Sequence, residues 1–278
     1  MRSRTLTFLG VLCLLSVTSA FGQDVQPGMA VGFPAASVSD MNCSGFISGQ
    51  PVSNDISIFN GADDDQLSYT RAWMTGEHVF LRSRTGANIA VGTEYSLVRS
   101  ASELMRVRWY DGQGASIRSL GKPYENAGRV KVVRVTPDGA IAEVTAACGL
   151  VMRGDLAIPA VNRPIPAFDP AAQFDHYAPS NGKLLGAITA GVDNASYFGG
   201  GAKAFINLGT SDGVSPGQKF RIFHILNDEP AGAYMLPPTG PRQTIGELIV
   251  LSSEEKSSLV MVTKSIREIK LGDGIEQE

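Results

Sequence analysis

One pattern of residues occurs twice in this chain, and a chain that repeats itself is built to fold the same unit twice. Val79-Phe80-Leu81 lies over Ala204-Phe205-Ile206, and the match continues without a gap at a constant offset of 125. Ile89 then falls on Val214, Gly92 on Gly217, Tyr95 on Phe220 and Leu97 on Ile222. A second ungapped block, offset by 118, places Gly128-Arg129-Val130-Lys131-Val132 on Gly246-Glu247-Leu248-Ile249-Val250. It carries Ile141 onto Leu259, Val144-Thr145 onto Val262-Thr263 and Gly154-Asp155 onto Gly272-Asp273. The seven-residue difference separates residues 100–127 from residues 225–245, connections with Gly, Pro and charge where a surface loop tolerates length changes.

Each copy reads as strands. Apolar residues recur at every second position around residues 79–81 and 204–208, in Tyr95 and Leu97, in Phe220 and Ile222, in Val130 and Val132, and in Leu248 and Val250. Period two over short runs bounded by Gly and Asp predicts half-buried antiparallel strands. Turn chemistry separates them: Gly86-Ala87-Asn88 and Asp212-Gly213 first, then Pro137-Asp138-Gly139 and its counterpart Glu254-Glu255-Lys256. Asp55-Ile56-Ser57-Ile58 opens the first copy as Gly186-Ala187-Ile188 opens the second. Four to six such strands closing on themselves make a small barrel or compact sandwich, and closure removes exposed edges. The expected fold is therefore all-β, with two tandem antiparallel β-barrel-like domains at residues 41–158 and 182–278. Residues 159–181 join them; five prolines lie at 159, 164, 166, 170 and 179, and the aromatics Phe168, Phe174 and Tyr177 predict packing on a domain.

The start of the chain reads as an address. Arg2 and Arg4 precede an almost wholly apolar stretch at residues 6–17, and small residues follow, so residues 1–22 are expected to be a signal peptide cut before Gln23. The apolar run is shorter than the ~20 residues that a membrane span needs, and nothing later resembles a membrane helix. Cys13 lacks the small residues that a lipid-anchored cysteine requires before it. Residues 23–40 are small and polar and are expected to be flexible. Removing two arginines shifts the formal charge from −3 to −5, and a pI near 5.7 argues against nucleic acid as a partner. Export leaves Cys43 and Cys148 as an even pair in an oxidising compartment, a candidate disulfide closing a loop of 105 residues, with two buried thiols as the alternative.

The string Ile206-Asn207-Leu208-Gly209-x-x-Asp212-Gly213-Val214-x-Pro216-Gly217-x-x-Phe220-x-Ile222 resembles the C-terminal domain of flagellar assembly protein T. Ile245-Gly246-Glu247-Leu248-x-Val250 and Leu271-Gly272-Asp273 extend the resemblance over residues 182–278; the first copy matches more weakly, most clearly at Gly92 and Gly154-Asp155. The resemblance implies a small β-rich domain of secreted bacterial envelope proteins, in the periplasm or outside the cell, with no catalytic residues. Such domains often accompany a peptidoglycan-binding LysM module. This chain has no LysM-like segment and no counterpart of the flagellar protein's other domains.

Several strings have the spelling of a chemical motif. Gly213-Val214-Ser215-Pro216-Gly217 has the spelling of a nucleophile elbow, but Pro216 has no N–H for an oxyanion hole and the matched residue of the first copy is Ala90, so it reads as a turn. Gly199-Gly200-Gly201-Ala202-Lys203 lacks the spacing of a phosphate loop and reads as a hairpin. Asp63-Asp64-Asp65 reads as a solvated turn, with a weak calcium site as the sharper alternative. His78, His176 and His224 lack metal-ligand spacing; His224 falls on Arg99, which suggests a solvated rim. No cofactor, metal or catalytic group is expected. Phe80 and Phe205 lie on the strand face opposite Leu81 and Ile206, which is a second buried face, a domain contact or an exposed patch. Trp73, Trp109 and Tyr110 are candidates for stacking on sugar rings. The expected role is non-enzymatic assembly, scaffolding or binding of another envelope protein or a cell-wall component, with a soluble small-ligand or glycan binder as the alternative.

Overall fold

A computed structural model of the chain describes residues 32–62, 72–101, 104, 109–225 and 241–278. The apolar leader and Asp63-Asp64-Asp65 lie outside these residues. In chain order, the first half comprises β1 (Phe33–Pro34), α1 (Val38–Cys43), β2 (Phe46–Ser48), β3 (Ile56–Gly61), β4 (Ala72–Trp73), β5 (His78–Ser83), β6 (Glu94–Ser100), α2 (Gln113–Leu120), β7 (Lys122–Thr136), β8 (Gly139–Ala147), β9 (Val151–Met152) and β10 (Leu156–Pro159). The second half comprises β11 (Ala167–Phe168), β12 (Leu185–Gly191), β13 (Tyr197–Phe198), β14 (Lys203–Ile206), β15 (Lys219–Ile225), β16 (Arg242–Ser253), β17 (Ser258–Ser265), β18 (Ile269–Lys270) and β19 (Gly274–Gln277).

Two closed antiparallel barrels result. In the first, β3-β5-β8-β7-β6-β10 returns to β3, and β2 adds outside β7. In the second, the ring is β12-β14-β17-β16-β15-β19. The registers show that these rings are one design. Phe80 faces Ile141 as Phe205 faces Leu259, and Tyr95 faces Val130 as Phe220 faces Leu248. Leu97 faces Gly128 as Ile222 faces Gly246, with a bulge immediately after Leu97 and Ile222 alike. Short strand pairs repeat too: Trp73 with Val151, Phe198 with Ile269. The first strands match at an offset of 130, Ile58 on Ile188, so a second length difference of five residues lies in the β3–β5 connection.

The barrel interiors are apolar and matched. Ile58, Val79, Leu81, Tyr95, Leu97, Val130, Val132, Ala142 and Val144 fill the first; Ile188, Ala204, Ile206, Phe220, Ile222, Leu248, Val250, Val260 and Val262 fill the second. Gly128 and Gly246 occupy corners where the long strands bend against their partners. A Cβ there would lie 2.3 Å from the Ala146 carbonyl oxygen or 2.4 Å from that of Lys264, closer than any side chain is tolerated.

Two helices modify the all-β reading. Ser37 and Asp40 form a capping box that starts α1: the Ser37 hydroxyl accepts from the Asp40 amide, and the Asp40 carboxylate accepts from the Ser37 amide. Residues 32–40, expected to be flexible, are instead held against the fold, with β1 paired to β11 and Ala35 and Ala36 buried. Helix α2 occupies the longer connection of the first copy and buries Gln113, Ile117 and Leu120, one face at helical spacing. It stops at Gly121 (φ +136°), where a Cβ would strike the Ser48 carbonyl oxygen. The Cys43–Cys148 disulfide is present, with Cα atoms 5.3 Å apart, and ties α1 to the end of β8. Closing so long a loop restricts the unfolded chain by roughly 4 to 5 kcal/mol in the chain-entropy model.

Replacing Gly246 by Ala is expected to cost about 1 to 3 kcal/mol through the clash at this corner, read as a lower urea midpoint with an unchanged slope. An unchanged midpoint would show that the corner relaxes freely.

Candidate functional site

The barrels do not hang on a loose tether: residues Gly32–Glu278 form one compact unit. A third core lies between them. The outer wall of the second barrel contributes Ala190, Phe205, Ile249, Leu251, Leu259 and Met261. Ala35, Ala36, Ile47, Ile117 and Leu120 cover it from the first half, with Ile165 and Phe168 of the connecting segment alongside. Polar contacts fix the docking. The Lys203 ammonium pairs with Asp40 of α1, the Ser257 hydroxyl donates to the Ile47 carbonyl at 2.8 Å, and the Gln113 amide donates to the Thr189 carbonyl at 3.1 Å. Helix α1 is thus bonded to the first barrel through sulfur and to the second through charge. Partial burial works to raise the Asp40 pKa, but Lys203 and the Ser37 hydroxyl and amide outweigh it and hold it at about 2.

Each barrel also carries a buried aspartate at the position of the repeated Gly-Asp. Asp155 accepts from Arg99 and from the Met152 amide, both at 2.7 Å; Asp273 does the same with His224 and the Lys270 amide, again at 2.7 Å. Burial raises both carboxyl pKa values, against the pull of these donors. His224 is accordingly half-exposed but tied to a buried acid, not a free rim residue. The pairs close each ring where its last strand begins.

The second barrel holds a polar cluster that the first lacks. Glu276 is fully buried and accepts from Arg221 and Arg242, each at 2.9 Å, from the Ser180 hydroxyl at 2.5 Å and from the Asn181 amide at 3.0 Å. Burial alone would raise its pKa; Ser180, Arg242, Asn181 and Arg221 together bring it below the usual value. The same connecting segment bonds backbone to backbone at His176 and Thr244, and the Ala172 carbonyl accepts from Lys264 at 2.6 Å. Residues 172–181 therefore form a strap along the outside of β16 and β19. Phe174 is half-buried beside Lys264, Phe168 enters the inter-barrel core, and Tyr177 stands 73% exposed.

On the first barrel, the positions matching Arg221, Thr244, Glu247 and Glu276 are Ser96, Asn126, Arg129 and Ile158. These four line a cleft of about 240 Å³, closed by Asn42, Phe46 and Ser48 on one side and by Arg163 and Glu254 on the other. Arg129 donates to Asn162 and to the Val161 carbonyl, at 2.8 and 2.9 Å, while its Nε is buried with no hydrogen-bond partner among the described residues. Arg163 pairs with Glu254 at 3.4 Å; burial raises the Glu254 pKa and Arg163 opposes it. Amides, hydroxyls and guanidinium groups over an apolar floor suit a small polar group.

The structure separates the residues singled out in sequence. Phe205 is buried in the inter-barrel core, so of the three readings of its face the domain contact holds. Its counterpart Phe80 is half-buried and belongs to none of the three cores among the described residues. Trp73 is 2% exposed inside the first barrel and offers no face to a sugar. Tyr110 packs against the second barrel's core, and adjacent Trp109, 51% exposed, donates its amide to the Gln113 side chain at 2.8 Å just ahead of α2. Trp109 and Tyr110 therefore sit together at the junction and Trp73 does not. Ser215 lies exposed on a turn that leads from a short 3₁₀ helix into a strand, the reverse of the strand-to-helix elbow a nucleophilic serine uses. Among the described residues no group of three or more His, Cys, Asp or Glu side chains converges as a metal site. Sequence reasoning missed α1 and Glu276. The Ser37-x-x-Asp40 spacing is a legible helix start, whereas nothing around an outward-facing Glu276 announces a strap over it. The sequence matches no family model, and no curated protein shows significant similarity to it.

Because the Asp40 pKa is lower folded than unfolded, its stabilisation is whole above about pH 4 and is lost as pH falls toward 2. Asp40→Asn is expected to cost at most about 2 kcal/mol at pH 7, with the gap between wild type and variant closing in acid; a pH-independent gap in urea unfolding would refute the pairing. Glu276→Gln leaves two half-buried guanidinium groups without their carboxylate and is expected to cost about 3 kcal/mol, with faster proteolytic cleavage within residues 165–181. A strap as resistant as in the wild type would show that Glu276 does not anchor it.

Proposed function

We propose that this chain is a non-enzymatic protein of the bacterial envelope, periplasmic or secreted, that acts in assembly or scaffolding by binding another envelope component. The observation that carries this reading is the use made of the polar groups. Asp40 joins the two halves, Asp155 and Asp273 each close their own ring, and Glu276 holds the strap on the second barrel, so these four acids are engaged in holding the fold together. A disulfide of this kind persists in oxidising compartments, and no helix among the described residues is long and apolar enough to cross a membrane. The leader at residues 1–22 and the resemblance to the C-terminal domain of flagellar assembly protein T support the same compartment.

A second reading, binding of a small ligand or glycan, is favoured by one observation: the exposed indole of Trp109, together with a polar cleft of about 240 Å³ on the first barrel. The two readings separate by affinity capture from solubilised envelope fractions, run with wild type and with the variants Trp109→Ala and Arg129→Glu. A discrete envelope protein or cell-wall fragment held by the wild type and lost from a folded variant supports the scaffold. Empty capture alongside a responding glycan array would reverse the order.

A further inference from the structure

The cleft on the first barrel is built around a positive charge that no acid of the fold answers. Arg129 lies in β7, and the connecting segment holds its guanidinium with two neutral acceptors, the Asn162 side-chain oxygen at 2.8 Å and the Val161 carbonyl at 2.9 Å. Its buried Nε–H has no acceptor, and no carboxylate among the described residues pairs with it. The other two charged groups of the lining, Arg163 and Glu254, pair with each other at 3.4 Å. The lining thus carries two guanidinium groups against one carboxylate, a net positive charge on a chain whose formal charge is −3.

The matched place on the second barrel shows what such a wall accommodates. There the Glu276 carboxylate lies between Arg221 and Arg242 and takes two further donors, the Ser180 hydroxyl and the Asn181 amide. The first barrel has Ile158 in place of that acid, while a guanidinium still stands on the matching long strand, β7 for β16. The carboxylate is the missing part. Ser96 and Asn126 line the cleft as well, and Asn126 spends its oxygen on the Gly45 amide at 2.9 Å, which leaves its NH2 group as a donor. Phe46, Ile158 and Pro159 supply apolar surface.

We propose that this cleft binds the carboxylate end of a small ligand, with Arg129 as its charge partner, Asn126 and Ser96 as further donors, and the ligand's stem against Phe46 and Ile158. Charge selects a monoanion, because a dianion such as phosphate would bring its second charge against Glu254 with no cation left to meet it. Size selects an end group: about 240 Å³ is below the ~300–1,000 Å³ of sites that enclose a drug-sized ligand. A guanidinium meets a carboxylate through charge-assisted paired hydrogen bonds, which a neutral amide or a sugar hydroxyl does not return. A free short-chain acid and the C-terminus of a peptide both offer this chemistry. The proposal rests on the small-ligand reading of the cleft and narrows it to an acid; the scaffold reading does not depend on it.

Titration calorimetry of the purified protein at neutral pH and low salt tests it, with N-acetyl-alanyl-alanine, its C-terminal amide and propionate, each up to about 10 mM. Wild type is expected to bind the peptide acid at least about tenfold more tightly than the amide, with the difference shrinking as salt is added. Propionate equal to the peptide acid assigns the site to free acids, and weaker propionate assigns it to peptide ends. Arg129→Gln should remove the preference for acid over amide, and Arg129→Lys, which keeps the charge, should retain part of it, with thermal unfolding showing that each variant is folded. Should Arg129→Gln fail to fold, the Arg129 Nε–H resonance of wild type, assigned by its loss in Arg129→Lys, is expected to shift with the peptide acid and not with the amide. No binding of either acid overturns the proposal, as does a preference for acid that survives Arg129→Gln. Acid and amide bound alike, or a glycan bound in their place, also overturns it while leaving the small-ligand reading standing.

Discussion

Burial of both faces of the second barrel's long hairpin is the constraint on which the arrangement depends. Leu248 and Val250 point into the barrel while Ile249 and Leu251 point into the core between barrels; Val260 and Val262 go inward while Leu259 and Met261 go outward. A strand apolar on both sides has no face to give to water, so the second barrel needs the first half of the chain upon it. Docking then follows from the hydrophobic effect, and α1, α2 and the connecting segment are the pieces that make the cover fit.

The polar groups set geometry where apolar burial is non-directional. Asp155 and Asp273 recur because every ring must close where its last strand starts, and a buried carboxylate taking an amide and a basic side chain fixes that point twice over. Glu276 has Ile158 as its match, and among the described residues it is the second barrel that has a strap across its outer wall. Ser96, Asn126 and Ile158 stand at matched positions without an acid among them, and there the wall opens into a cleft. One scaffold thus carries a strap across the wall of one copy and a cleft at the matched place on the other.

The barrels themselves were legible in sequence at the level of individual pairs. Offsets of 125 and 118 equate Phe80 with Phe205 and Ile141 with Leu259, and so anticipate that the register of one copy recurs in the other, because a period-two pattern admits no slip without exposing its apolar face. The five-residue difference between β3 and β5 escaped, since Ile58 and Ile188 lie in short strands too weakly patterned to fix an alignment alone. The fate of Phe205 was written in its neighbourhood: Leu248-Ile249-Val250-Leu251 is apolar throughout, where the first copy has Val130-Lys131-Val132-Val133. An unbroken apolar run marks a strand covered on both sides.

Sequence by itself determined that this chain folds one strand pattern twice, how the positions of the two copies correspond and which cysteines are available to join, because alternation, turn residues and pair counting act over short distances along the chain. Only the tertiary structure decided that the barrels form a single body, that α1 is the clip between them and that Glu276 is buried under a strap. Those outcomes depend on surfaces brought together from residues more than ninety positions apart, such as Ser180 with Glu276 and Asp40 with Lys203. A local pattern can mark a wall as covered, but it does not record which distant segment will cover it.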